Sequence, residues 1–175
     1  MKHHETTGKP AFRKANRNGL SGASYESASE VTPGGFGLYI HWPFCVSKCP
    51  YCDFNSHVAE TVDQSAWQNA LLRELDYYGS RTKGRTLSSV FFGGGTPSLM
   101  LPETAAVLLD SLSQYWCVED DVEVTLEANP SSSESKYFND FREAGVNRVS
   151  IGVQSLNDEA LAFLGRTHTG EQALQ

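Results

Sequence analysis

From Gly37 onward the sequence alternates short apolar strands with amphipathic helices four times, and this alternation constrains the fold more than any other feature. Leu38 to Trp42 reads as a first strand. Thr61 and Gln64 then have the spacing of a capping box, followed by Trp67, Leu71, Leu75 and Tyr78 at helical intervals. Val90-Phe91-Phe92 is a second strand, and Pro102 suits the first turn of a helix whose apolar face holds Ala105, Leu108, Leu109, Leu112 and Trp116. Val122 to Leu126 alternates as a third strand. Ser131 and Glu134 form another capping box before Tyr137, Phe138 and Phe141. Val149, Ile151 and Val153 give a fourth strand, and Asn157 can cap the helix after it. Strands separated by helices run parallel, so the fold class is α/β with right-handed crossovers. Alternation alone allows either a doubly wound sheet or a barrel.

The residues that end these strands are polar or special. Cysteines follow the first strand, glycines the second, Glu127 the third and Gln154 the fourth. Parallel α/β folds place their sites at this C-terminal edge. The densest signal there is Cys45-Val-Ser-Lys-Cys49-Pro-Tyr-Cys52, a C-x3-C-x2-C arrangement. Thiolates are the soft ligands of iron–sulfur clusters, and three on one loop can hold three irons of a cubane, leaving the fourth iron open to the amino and carboxylate groups of a methionine. A zinc site is the alternative, with His41 or His57 as the fourth ligand, although structural zinc favours paired C-x2-C units.

Gly93-Gly94-Gly95-Thr96-Pro97 lets backbone approach a ligand closely, or else is a tight strand-to-helix turn. It meets neither the nucleotide P-loop pattern nor the dinucleotide glycine fingerprint. Glu127, in Leu-Glu-Ala-Asn-Pro, can accept hydrogen bonds from a ribose or ammonium group, and Gln154 and Arg166 can offer an amide and a guanidinium. Each of these alone also reads as an ordinary loop residue. Cys117 reads as a partly buried structural thiol at a helix end, and His3 and His4 belong to the tail.

Residues 1 to about 35 are rich in Ser, Gly, Asn and Lys without apolar periodicity, and read as a disordered extension. Lys9, Arg13, Lys14 and Arg17 would suit an organellar presequence, but Glu5 and the missing amphipathic face argue against one. The remainder, 36–175, reads as one core domain truncated at its C-terminus, because a capping box at Thr169 and Gln172 opens a helix that the chain end at Gln175 cuts short. A strand-four edge without a partner points the same way. With 14 basic and 21 acidic residues the formal charge is −7, which argues against a nucleic-acid partner, since that would need a basic face. No apolar run approaches the roughly 20 residues of a membrane-spanning helix, and clustered cysteines suit a reducing compartment, so the cytoplasm is expected.

Taken together, Tyr39-Ile-His41-Trp-Pro43-Phe-Cys45-x3-Cys49-Pro-Tyr-Cys52, Gly93-Gly-Gly-Thr-Pro97, Glu127-Ala-Asn-Pro130 and Gly152-Val-Gln154-Ser155 resemble the radical S-adenosylmethionine (SAM) superfamily, and within it the oxygen-independent coproporphyrinogen III oxidase-like group. The resemblance runs from about Phe36 to the end. It implies the N-terminal portion, about four β/α units, of a (β/α)6 partial TIM barrel. It also implies a [4Fe-4S] cluster on Cys45, Cys49 and Cys52, with Tyr39, Tyr51, Gly94, Gly95, Thr96, Glu127, Gln154 and Arg166 around SAM; no catalytic residue is assigned. True oxidases of the group resemble C-x3-C-x2-C-x-C, whereas this chain has Phe54 at the last position, in Cys52-Asp-Phe-Asn-Ser-His57. That run is similar to the haem chaperone branch (HemW-like). The resemblance then implies haem as cargo, haem-accepting respiratory enzymes as partners and an electron donor. The alternative it leaves is an oxidase that cleaves SAM reductively and decarboxylates coproporphyrinogen III to protoporphyrinogen IX. His41 and His57 are haem-ligand candidates by residue type alone.

Overall fold

The computed structural model describes residues 35–130 and 132–175. The expected N-terminal extension therefore lies, apart from Gly35, outside the described residues, as does Ser131 as a helix cap. Along the chain the elements are β1 (Phe36–Trp42), β2 (Phe44–Cys45), β3 (His57–Val58), α1 (Gln64–Arg81), β4 (Thr86–Gly94), α2 (Pro102–Ser111), β5 (Cys117–Ala128), α3 (Ser132–Ser135), α4 (Phe138–Ala144), β6 (Arg148–Ile151), α5 (Asp158–Phe163) and α6 (Gly170–Leu174).

β1, β4, β5 and β6 form one parallel sheet in that order. Each new strand is added beside the previous one without a reversal. A doubly wound sheet must reverse its strand order at a switch point, and a barrel wall never does. The sheet has the order of a partial-barrel wall, with its crossover helices on one side and no reversal among the described strands.

Strand periodicity sorts the two faces. Ile40, Trp42, Val90, Phe92, Val124 and Leu126 are buried and join Leu75 of α1, Leu108 and Leu109 of α2 and Phe141 of α4 in one core. The other face carries a lateral row set by register, Tyr39 beside Phe91, Phe91 beside Thr125 and Thr125 beside Arg148. Glu127 sits one step nearer the C-terminal edge, beside Ser150. This second face is mixed in polarity, as a barrel interior that receives ligands must be.

Several local expectations shift. α1 is capped by Asp63, whose carboxylate accepts from the Ala66 N–H at 2.9 Å, and not by a Thr61–Gln64 box. Gln64 instead bridges to the next turn of the chain: its Nε2 donates to Leu99 O at 3.2 Å and its Oε1 accepts from Leu101 N at 3.3 Å. Tyr78 is exposed, and Gly79 takes its place on the buried side, packed so close to the Tyr115 ring that a Cβ would lie 2.5 Å from it. Cys117 is exposed and opens β5 instead of ending a helix. The fourth strand stops at Ile151, leaving Val153 in the loop beyond it. The Asn157 cap and the Thr169–Gln172 capping box are as expected. β6 pairs with β5 alone among the described residues.

The face assignment predicts a contrast between neighbours in β4. Phe92→Ala removes a fully buried ring and should cost about 3–5 kcal/mol of unfolding free energy in a denaturant titration. Phe91→Ala, on the half-buried opposite face, should cost clearly less. Equal losses would contradict the assignment.

Candidate functional site

The cysteine loop is closed at its base by a miniature parallel ladder. Phe44 pairs with His57 and Cys45 with Val58, and the His57 N–H donates to Pro43 O at 2.7 Å. Inside the loop the Cys52 N–H donates to Cys49 O at 3.0 Å, and Lys48 Nζ donates to Ser56 O at 3.3 Å. The glycine-rich stretch at the end of β4 runs alongside: the Gly95 N–H donates to Trp42 O at 2.7 Å and the Thr96 N–H to Phe44 O at 2.8 Å. The β1–β4 pairing thus extends past both strand ends and fixes where the cysteines begin.

Glycine is required here by proximity. A Cβ on Gly95 would lie 2.7 Å from Phe44 O and 3.0 Å from Cys45 Sγ. Gly94 has φ 117°, in the left-handed region, and a Cβ there would meet the His41 ring at 2.6 Å. Its N–H donates to Glu127 Oε2 at 3.2 Å, which ties the end of β5 to the end of β4.

Gln154 is the non-glycine residue with positive φ among those described, at 65°. Such strain collects at functional loops when neighbours enforce it. Buried His168 helps, with its Nε2 3.0 Å from Val153 O. Arg166 is delivered by the end of α5: the Arg166 N–H reaches Leu161 O, the Gly165 N–H reaches Ala162 O, and Gly165 has φ 67°, a Schellman turn. Its guanidinium donates from Nη2 to Asn129 Oδ1 and Gly152 O, each at 2.7 Å, and from Nη1 to Cys49 Sγ at 3.4 Å. Arg166 Nε is buried without a hydrogen-bond partner.

These loops surround a cavity of about 310 Å³ lined by all three thiols, by Gly94, Gly95 and Thr96, and by Tyr51, Glu127, Gln154 and Arg166. A smaller space of about 250 Å³ adjoins it through Gly94, Glu127 and Phe54, and Tyr39 lines this second space. Of the residues expected around a cofactor, then, all but Tyr39 share the first cavity. Tyr39 stands next door, its hydroxyl 2.9 Å from His41 Nδ1 and its ring stacked on Phe91. His41 Nε2 lies 2.9 Å from Asn55 O, which can only accept, so Nε2 donates; in the neutral imidazole Nδ1 then accepts from the Tyr39 hydroxyl. Neither His41 nor His57 lines the cavity of the thiols. Sequence reasoning overlooked Asn129 and His168, which carry the hydrogen bonds just described; an Asn before Pro reads as a turn residue, and no pattern flags His168.

The donor set fits an iron–sulfur cubane. The three thiols are free, half-buried and line one cavity. A cubane asks each thiolate for a different iron, spread along one wall of a cavity. The orphaned Arg166 N–H and the glycine cradle are groups that a polar ligand beside the cluster would satisfy.

Burial raises the Tyr39 phenol pKa, and the Glu127 carboxylate adds to the rise. Burial likewise pushes Tyr51 up, followed by its hydrogen bond to Cys49, with Arg166 acting in the opposite direction.

A profile described as the radical SAM superfamily matches residues 39–175. The chain is 46% identical over 137 residues to the heme chaperone HemW of Escherichia coli (strain K12), covering 78% of this chain and 36% of that protein. It is 47% identical over 138 residues to radical S-adenosyl methionine domain-containing protein 1, mitochondrial, of Bos taurus, covering 79% of this chain and 31% of that one. The chain therefore spans about a third of the length of these curated relatives. Among solved structures, E. coli coproporphyrinogen III oxidase (HemN), titled a radical SAM enzyme, superposes with a TM-score of 0.70 at 28% identity, over 82% of this chain and 33% of that one.

The Tyr39 environment gives a signed prediction. Its phenol should titrate above the ordinary tyrosine value, seen as the alkaline absorbance step lost in Tyr39→Phe. Glu127→Gln removes the smaller of the two causes and should move that step to lower pH without abolishing the elevation. A step unmoved by Glu127→Gln would contradict the pairing.

Proposed function

We propose that this chain, which belongs to the radical SAM superfamily, is the cluster- and SAM-binding part of a haem chaperone that passes haem to haem-dependent respiratory enzymes. The observation that carries the chaperone reading is the 46% identity to heme chaperone HemW. Phe54 supports it: the position where the oxidases resemble a fourth cysteine holds an exposed ring at the junction of the two cavities.

In this reading Cys45, Cys49 and Cys52 hold three irons of a [4Fe-4S] cluster. When bound, the cluster would offer its open iron to the amino and carboxylate groups of SAM, and cluster and SAM would be structural or regulatory parts of the haem-binding protein. The residues around it do the binding work. Gly94 and Gly95 bring backbone against the methionine end, and Thr96 borders that cradle. Glu127 faces the cofactor while anchored by the Gly94 N–H. Gln154 and Arg166 close the cavity from the strand-four side, and Tyr51 and Tyr39 flank it. Glycine backbone, one carboxylate, an amide and a guanidinium suit a zwitterionic amino acid carrying a ribose. Haem is the proposed cargo.

The second reading, an oxygen-independent coproporphyrinogen III oxidase, is favoured by the structural likeness to HemN. Both readings need a reducing compartment, either the cytoplasm or, as the bovine relative's name suggests, mitochondria. Among the described residues no helix is long and apolar enough to cross a membrane.

Anaerobic haem titration of the intact protein, run beside a turnover assay with SAM and coproporphyrinogen III, separates the two. Stoichiometric haem binding without protoporphyrinogen formation is expected; protoporphyrinogen formed with SAM cleavage would establish the oxidase instead. Replacing any of Cys45, Cys49 or Cys52 by Ala should abolish the intact cluster, read as iron and sulfide per chain. Glu127→Ala should leave the cluster and weaken SAM binding about tenfold or more, the worth of one hydrogen bond to a charged group. Undiminished SAM affinity would remove Glu127 from the site.

A further inference from the structure

One chain of hydrogen bonds, through Thr96, Asn129 and Arg166, joins two of the three thiols. Thr96 Oγ1 lies 3.5 Å from Cys45 Sγ, and Asn129 Nδ2 lies 3.4 Å from Thr96 Oγ1. Arg166 Nη2 lies 2.7 Å from Asn129 Oδ1, while Arg166 Nη1 lies 3.4 Å from Cys49 Sγ. Asn129 therefore stands between the hydroxyl on one thiol and the guanidinium on the other.

The directions of these bonds follow from chemistry. A guanidinium can only donate, so the Asn129 amide must turn its oxygen to Arg166 and its NH2 to Thr96. Thr96 then accepts from Asn129, and its own proton is available to Cys45 Sγ. Both thiols thus receive a donor; Asn129 orients the Thr96 hydroxyl and shares the Arg166 guanidinium with Gly152 O. Asn129 is itself held: its N–H donates to Glu134 Oε2 at 2.8 Å, Ser98 Oγ donates to the same oxygen, and Pro130 restricts the backbone before it. Buried Glu134, on α3, thus anchors the Asn129 backbone.

Hydrogen bonds to cluster sulfurs favour the reduced, more negative state and so raise the reduction potential. We propose that Asn129 is a positioning residue that tunes the cluster's reduction potential, by holding the Thr96 hydroxyl on Cys45 and the Arg166 guanidinium on Cys49. This rests on the reading of Cys45, Cys49 and Cys52 as cluster ligands and adds to it a role for a residue that touches neither iron nor SAM.

The consequence differs between two substitutions at the same position. Asn129→Ala frees the Thr96 hydroxyl and leaves the Arg166 guanidinium held by Gly152 O alone, so both donors lose orientation toward their thiols. Asn129→Asp keeps the size but turns an amide donor into a second acceptor, which draws the Thr96 proton away from Cys45 and adds negative charge near the cluster. Both lower the potential, and Asp lowers it further.

The test is a potentiometric titration of the intact, anaerobically reconstituted protein without SAM, followed by electron paramagnetic resonance and paired with iron and sulfide counts. Asn129→Ala should raise the oxidised-to-reduced ratio about tenfold at a fixed applied potential, equivalent to about 59 mV for one electron. Asn129→Asp should exceed it. In a Thr96→Val background the Asn129→Ala effect should shrink, because part of its route is gone. A potential equal to wild type in fully loaded Asn129→Ala overturns the proposal. If that variant loads poorly, Thr96→Val decides alone: a lowered potential supports the proposal and an unchanged one overturns it. Failure of both variants to load also overturns it, assigning the network to cluster retention instead. Wild-type protein that assembles no [4Fe-4S] cluster would instead contradict the ligand reading beneath.

Discussion

The hydrogen bonds that carry β1–β4 pairing beyond the strand ends, from Gly95 N–H to Trp42 O and from Thr96 N–H to Phe44 O, are the constraint on which the rest of the site depends. They hold the first residues of the cysteine loop against the glycine loop at van der Waals distance, and only glycine at 95 permits that approach. The backbone there is anchored by burial on the opposite side: Trp42 and Phe92 are fully buried in the core shared with α1 and α2. A site built on strand ends inherits the rigidity of the sheet, so the thiols start from a fixed point even though the loop they occupy is half-exposed.

Charge contributes little to holding the fold. Among the described residues the ion pair is Glu123–Arg148 at 2.9 Å, with both side chains about half exposed, and such pairs stabilise weakly. The cavity's charged side chains are each tied down: Lys48 to a backbone carbonyl, Arg166 to Asn129, Gly152 and Cys49, Glu127 to a backbone N–H, and Glu134 to the Asn129 N–H and Ser98. Charged groups held this way are oriented before any ligand arrives, which is how a site limits the reorganisation that binding would otherwise require.

Much of this was legible in the sequence, and the reasons differ by element. The strands showed through β-branched and aromatic runs, and the Asn157 and Thr169 caps showed because capping is local chemistry. The cysteines and glycines could be read because their spacing answers to a ligand. Other features depend on partners distant in the chain. Asp63, not Thr61, caps α1, and Gln64 is engaged with Leu99 and Leu101, more than thirty residues on. Strand order had no local signature, so the order of a partial-barrel wall showed only in the pairing. Arg166 alone reads as an ordinary loop residue and became a site candidate only beside Gln154 and through the family resemblance, while Asn129 acquires meaning only from Thr96 and Arg166 on either side of it.

The claim at the centre of this account is that three thiolates hold a cubane and leave one iron open to SAM. Its most direct test is the electron paramagnetic resonance spectrum of the reduced, reconstituted intact protein before and after SAM is added. The account predicts a [4Fe-4S] signal that changes shape and g-values on addition, because the methionine end binds the uncoordinated iron. A signal indifferent to SAM, or stoichiometric zinc in place of iron and sulfide, would contradict it.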